Sequence, residues 1–210
     1  MPAADSLTIH EILHLLELAG VAVFAVSGAL MAAEKRMDPF GFVVLGTVTA
    51  IGGGTLRDLV LGGGPVFWVD QPDFLMVCIV VSLPVFWLAR LLRSVQTSLL
   101  WFDALGMAMF TVTGTHKALA MGAPGVVAGT MGVMSAAFGG ILRDVICGER
   151  PLLLHSDVYA TAALAGAILL VQADALGLSP MTANWGAFAL IFVIRAGAIR
   201  FGWSIPSYKP

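Results

Sequence analysis

GGGTLRDLVLGGGP, from Gly52 to Pro65, and FGGILRDVICGERP, from Phe138 to Pro151, are two copies of one motif. Laid over each other, Gly53, Gly54, Leu56, Arg57, Asp58, Gly62 and Pro65 fall on Gly139, Gly140, Leu142, Arg143, Asp144, Gly148 and Pro151. Each copy sets a glycine pair and an Arg-Asp pair inside a long apolar run. Apolar membrane helices tolerate few charges, so two copies at a constant offset point to a duplicated working part.

The duplication spreads outward from the motif. At the same offset Glu17 falls on Asp103, Gly20 on Gly106, Phe24 on Phe110, Ser27 on Thr113 and Gly28 on Gly114. Hydrophobic residues make up 59% of the chain and charged residues only 11%, with a mean hydropathy of +0.93. A soluble globular domain carries about a quarter charged residues, so water is not the solvent of this chain. The apolar runs read as about seven membrane-spanning helices, each near the roughly 20 residues that a bilayer core requires. They lie at 12–33, 40–61, 74–91, 99–120, 123–146, 158–172 and 185–198. The first run is too polar at Glu11, His14 and Glu17, and too closely followed by the second, to be a cleaved signal peptide.

The predicted fold is an all-α integral membrane protein of seven transmembrane helices. Residues 1–210 form a single transmembrane domain, with repeat one at about 12–93, repeat two at about 99–176 and an extra helix at about 185–200. Each repeat has three spans, an odd number, so the second crosses the membrane in the opposite sense. That makes an inverted repeat, with a pseudo-two-fold axis in the membrane plane. Lys35, Arg36, Arg90, Arg93, Arg150, Arg200 and Lys209 fall on one side of this arrangement, and Lys117 on the other with Arg57 at its edge. The positive-inside rule then puts the N-terminus outside and the C-terminus in the cytoplasm of a multi-pass protein of the cell inner membrane. The net charge of −2 decides little. Cys78 and Cys147 lie in or at the ends of helices and read as packing residues. Trp68, Trp101, Trp185 and Trp203 sit near helix ends, as interfacial aromatics do.

Two readings of the glycines stand side by side. A run such as Gly52-Gly53-Gly54 weakens a helix by roughly 1 kcal/mol per residue relative to alanine. A broken backbone at mid-membrane is tolerated where its freed groups line a water-filled path or are covered by protein. On that reading Gly52, Gly53, Gly54, Gly139 and Gly140 offer carbonyls to a cation, with Asp58 and Asp144 beside them. On the other reading the glycines let helices approach closely. Adjacent helical positions point about 100° apart, so the Arg and Asp of one copy are not expected to face each other. A cross-pairing of Arg57 with Asp144 and Arg143 with Asp58 is expected instead, a lock between the second and fifth helices that also serves as a gate.

Around these lie further candidates. Glu17 and Asp103 each start a repeat, as mouth charges that draw in cations or as acids at a helix N-terminus. Ser27 and Thr113 are equivalent hydroxyls. Lys117 has no counterpart in repeat one, where Met31 stands, and is either a plug in the path or a snorkelling interfacial lysine. His10, His14 and His155 form no recognisable ligand set. No nucleophile-base arrangement, phosphate loop or metal-ligand cluster is legible, so an enzyme, a bound cofactor and a nucleic-acid partner are not expected. Ala19, Gly20, Ala25, Ser27 and Gly28 on the first helix, and Gly106, Ala108, Thr113 and Gly114 on the fourth, offer small faces for close helix contact and assembly.

The paired GGxLRDxxxGxxP blocks, with FDALGMAMFTVTGTHKAL (Phe102 to Leu119) and the terminal IRFGWSIP (Ile199 to Pro206), resemble the prokaryotic relatives of the trimeric intracellular cation (TRIC) channels. The resemblance covers nearly the whole chain. It implies a homotrimer in lipid, with a monovalent-cation (potassium) pore inside each protomer. It also implies that the second and fifth helices kink at their glycines around that pore, and that the only metal is the transported potassium or sodium. The lysine-rich acidic motif of the animal members is absent, so gating by calcium or phosphoinositide does not carry over. Some bacterial relatives look like transporters of a small amino acid such as glycine, which is the alternative reading.

Overall fold

The computed structural model describes residues 3–92, 94–154 and 158–204, with side chains from residue 11 onward. Arg93, His155, Lys209, the side chain of His10 and the last two residues of the IRFGWSIP stretch lie outside the described residues. Among the described residues eight α-helices follow in order: α1 (Ala3–Glu34), α2 (Pro39–Leu61), α3 (Phe67–Asp70), α4 (Asp73–Leu88), α5 (Val95–Ala120), α6 (Gly125–Ile146), α7 (Ala160–Val171) and α8 (Pro180–Phe201). Single 3-10 turns follow α4 and α6, at Ala89–Leu91 and Leu152–Leu154. There is no strand among the described residues.

Local sequence sets the ends of these helices. Asp38 accepts a hydrogen bond from the Gly41 amide at 2.7 Å, with Pro39 in the first turn of α2, and Gly62 ends the helix in the left-handed region at φ 66°. Ser94 and Ser179 cap α5 and α8 in the same way, accepting from Thr97 and Thr182.

Among the described residues, six helices are long and apolar enough to cross a membrane. The segment predicted as a sixth span at 158–172 contributes α7, which is apolar but has only 12 residues. At 1.5 Å per residue that is about 18 Å, against the roughly 30 Å of a hydrocarbon core. It ends at Gln172, where the chain turns ahead of Gly177 (φ 64°).

Four helices make the centre: α1 packs on α2 and α5, and α6 packs on α2 and α5. α4 covers α1 and α2, α7 covers α5 and α6, and α8 lies on α5 and α7. The outer surface is apolar, with Leu59, Val80, Val126 and Val193 all exposed, whereas Arg57, Asp103 and Arg143 are fully buried. That distribution is the reverse of a water-soluble protein and suits a lipid surround. The small faces of α1 and α5 are consumed within the protomer. Gly20 faces Phe110, Gly106 faces Phe24, Gly28 meets the Leu45 carbonyl and Gly114 meets Ser135. They are therefore not free for assembly, contrary to the sequence expectation.

The expected breaks at the glycines do not occur. α2 and α6 stay helical through Gly52-Gly53-Gly54 and Gly139-Gly140. What the glycines do is let the two helices cross at backbone contact. A methyl on Gly53 would stand 2.0 Å from the Ser135 carbonyl oxygen, and one on Gly139 would stand 2.1 Å from that of Thr49. The pairs run in opposite senses along the two helices, so α2 and α6 are antiparallel. Without Cβ the carbonyl of one helix rests on the Cα of the other, and the van der Waals gain offsets the intrinsic cost of glycine in a helix.

Candidate functional site

Just past the crossing, each of α2 and α6 carries its Arg-Asp pair. Arg57 Nε donates to Asp58 Oδ1 at 2.8 Å, and Arg143 Nε donates to Asp144 Oδ1 at 2.8 Å. The predicted cross-pairing is therefore wrong: each arginine holds the aspartate of its own copy. The backbone directions differ by about 100°, but the arginine side chain is long enough to fold back to its neighbour.

The guanidinium then reaches the first helix of its own half. Arg143 Nη1 lies 3.0 Å from Asp103 Oδ1 on α5, and donates to Ser27 Oγ on α1 at 2.6 Å. Arg57 Nη2 lies 3.0 Å from Glu17 Oε1 on α1, an ion pair at an angle that makes no hydrogen bond. Neither Glu17 nor Asp103 caps a helix, since α1 and α5 begin at Ala3 and Val95. Asp103 is not a mouth charge either, because it is completely buried. Thr113, the counterpart of Ser27, is buried with its hydroxyl unpaired.

The second carboxylate oxygen organises the chain that follows. Asp58 Oδ2 accepts from the Phe67 amide at 2.9 Å, and Asp144 Oδ2 from the Leu152 amide at 3.0 Å. The two ends differ in one cation. Lys117 Nζ on α5 lies 3.0 Å from Asp58 Oδ2, so this lysine is turned inward and does not snorkel. At the Asp144 end the exposed pair Lys35 and Glu149 ties the end of α1 to the chain after α6. Glu149 holds the Lys35 ammonium above the ordinary lysine range, and Lys35 holds the Glu149 carboxyl below the ordinary range.

Because α2 and α6 are antiparallel, the two clusters sit toward opposite ends of the molecule. A cavity of about 300 Å³ at the Asp58 end is lined by His14, Glu17, Phe67, Asp70, Thr113 and Lys117. A smaller one of about 110 Å³ at the other end is lined by Glu34, Arg143, Asp144, Glu149 and Arg150. Thr115 and Ser135 carry buried hydroxyls without hydrogen-bond partners among the described residues. Gly54 packs on the Phe67 ring and Gly52 on Leu142, and both lie within the continuous α2. Gly140 is more open: Asp103 Oδ1 and the Tyr159 hydroxyl would stand 3.3 and 3.4 Å from a methyl there. Among the described residues no group of three His, Cys, Asp or Glu side chains is placed to hold a metal.

Two parts of the site escaped the sequence reading. Phe67 touches both cations at its end, and its only signal is an aromatic just after the first motif. Tyr159 and Arg195 are buried together, the guanidinium 4.8 Å from the ring centre. The signal that was passed over is Arg195 itself, an arginine within the last apolar run.

Comparison with known proteins places this architecture. The sequence profile of the family described as "Glycine transporter" matches the chain twice, over residues 14–90 and 100–175. The crystal structure of the TRIC trimeric intracellular cation channel orthologue from Rhodobacter sphaeroides superposes with a TM-score of 0.88. It is 46% identical and covers 91% of this chain and 99% of its own. The chain belongs to the prokaryotic TRIC family. A UPF0126 membrane protein of Vibrio cholerae is 43% identical over 94% of this chain and 83% of its own length. The UPF0126 inner membrane protein YadS of Escherichia coli is 42% identical over 92% and 94%. With its apolar exterior and six long helices, this member is a multi-pass membrane protein. The double match of the profile falls on the two halves that the motifs first marked.

Proposed function

We propose that the chain is a monovalent-cation channel, selective for potassium, with its path inside the protomer. The observation that carries this reading is the pair of cavities that descend from opposite ends to two buried clusters, each with two carboxylates and one guanidinium. Asp58 with Glu17, and Asp144 with Asp103, attract a dehydrating cation, while Arg57 and Arg143 hold the carboxylates in place. Thr113, Thr115 and Ser135 supply hydroxyls to water between them. The carbonyls of Gly52, Gly53, Gly54, Gly139 and Gly140 keep their helical partners in this reading; these glycines set the width of the path through the crossing. Lys117 on Asp58 is the plug, and with it in place the path is closed at that end.

The two halves act as inverted repeats of one domain, α7 completing the second half as a seventh, short span and α8 standing outside the repeat. The Asp58 end faces outward and the Asp144 end the cytoplasm, with the N-terminus outside, as the positive-inside rule requires. Assembly is a homotrimer, supported by the trimeric orthologue from Rhodobacter sphaeroides. Transport of glycine is the second reading, favoured by the family's description and by the suitability of inverted repeats for alternating access.

Purified protein in liposomes decides between the two. Rapid dissipation of a potassium gradient, with no saturable uptake of labelled glycine, is the expected result. Saturable glycine uptake without potassium flux would replace the channel with the transporter.

A further inference from the structure

Lys117 is held by more than a carboxylate. Its ammonium lies 5.9 Å from the centre of the Phe67 ring, and the Arg57 guanidinium carbon lies 5.7 Å from the same centre. An aromatic face carries negative charge density, so it attracts both cations, the fully buried Arg57 more strongly than Lys117, whose side chain is 35% exposed at the cavity. The ring is well fixed, at 6% exposure. Its own amide donates to Asp58 Oδ2, the oxygen that also receives Lys117. Its edge meets Phe74 in a T-shaped contact at 4.8 Å. Its Cε1 sits where a side chain on residue 54 would be, 2.6 Å from a methyl built on Gly54. The neighbouring Trp68 indole donates to Thr55 Oγ1 at 2.9 Å. The whole of α3 is thus stapled to the last turns of α2.

The opposite end supplies the control. There Asp144 receives the Leu152 amide as Asp58 receives that of Phe67, but the turn is the aliphatic Leu152–Leu154. The position equivalent to Lys117 is Met31. That end has a buried aromatic ring of its own, Tyr159 beside Gly140, but it packs on the Arg195 guanidinium and not on a lysine.

The geometry points to Phe67 as the positioning residue of the plug: opening this end means lifting Lys117 off an aromatic face as well as off Asp58. The inference rests on the channel reading for its consequence, and on contacts alone for the lysine seat. Fluorinated phenylalanines at position 67 test it, since added fluorine drains the ring face of charge and keeps its shape. The full chain in planar bilayers should show an open-to-closed ratio rising stepwise with fluorination, by about fivefold in all. The same series in a Lys117→Gln background should show no rise. In parallel, acetylation of Lys117 by sulfo-NHS acetate, read by peptide mass, should quicken by a similar factor.

Labelling that ignores fluorination overturns the seat, as does a gating shift of equal size in the Lys117→Gln background. Labelling that responds in a chain without cation current leaves the seat standing and removes the channel reading. Because the fluorinated chains keep the wild-type packing, the test survives even if Phe67→Leu fails to fold.

Discussion

At the scale of single residues the five motif glycines are not equivalent. Gly53 and Gly139 meet backbone carbonyls at 2.0 and 2.1 Å from a built methyl, and a carbonyl inside a helix cannot swing aside. Gly52 meets only the tip of Leu142 at 2.7 Å, which can rotate away. Gly53→Ala and Gly139→Ala should each destabilise the protein by about 1–3 kcal/mol or more, as overpacking does, and Gly52→Ala by less. Thermal unfolding in detergent micelles measures the ranking; a Gly52→Ala variant that melts below Gly53→Ala would refute it.

The buried charges make a second residue-scale prediction. Asp103 and Arg143 are both fully buried, 3.0 Å apart. Asp103→Asn leaves the guanidinium with less compensation, and removing one partner of such a pair costs about 3–5 kcal/mol. Combined with Arg143→Met the loss should fall well short of the sum, whereas a cycle between Arg57 and Asp144 should be additive. The arginines and aspartates were legible as a pair of pairs, because charges stand out in an apolar chain. Their partners were not. Which carboxylate an arginine finds depends on the reach of its side chain and on the register of neighbouring helices, neither of which spacing along one helix encodes.

At the scale of elements, Asp38, Ser94 and Ser179 cap three helices and Gly62 and Gly202 end two of them, and the apolar runs inside the seven longer helices were legible. The continuity of α2 and α6 was not. Glycine in an apolar run reads the same whether it breaks a helix or lets another cross it, and only the carbonyls of Ser135 and Thr49 opposite decide which.

One link between elements is open to titration. Lys35 at the end of α1 reaches Glu149 beyond α6, and their hydrogen bond is the leading cause of both shifts. Glu149 is depressed below its ordinary 4.5, so its contribution is present above that value and fades as pH falls through the lower folded value. Lys35 is raised above 10.5, so its contribution is present below that value and fades as pH climbs through the higher folded one. The contact therefore holds across the neutral range. Melting temperature followed from pH 7 (about neutral) into acid should lose part of its fall in Glu149→Gln. An identical acid profile in both proteins would mean that the contact contributes nothing to stability.

At the scale of the whole molecule, the antiparallel crossing fixes a relation that no single helix has. Since Gly53 lies on Ser135 and Gly139 on Thr49, the C-terminal ends of α2 and α6 point opposite ways, and the cavities over Asp58 and Asp144 open at opposite ends. If the long helices stand across the bilayer, those cavities open on opposite sides of the membrane. Asp70, exposed on the wall of the larger cavity, and Glu34, exposed on that of the smaller, are fit places to read it. With Cys78 and Cys147 replaced by alanine, intact cells carrying Asp70→Cys should react with a membrane-impermeant maleimide, and cells carrying Glu34→Cys only after lysis. The reverse pattern would leave the fold intact and invert its orientation, placing the Lys117 plug on the cytoplasmic side. Labelling of both positions in intact cells would mean that one cavity does not lead to the cytoplasm, and a path running between the two carboxylate clusters would then have no second mouth.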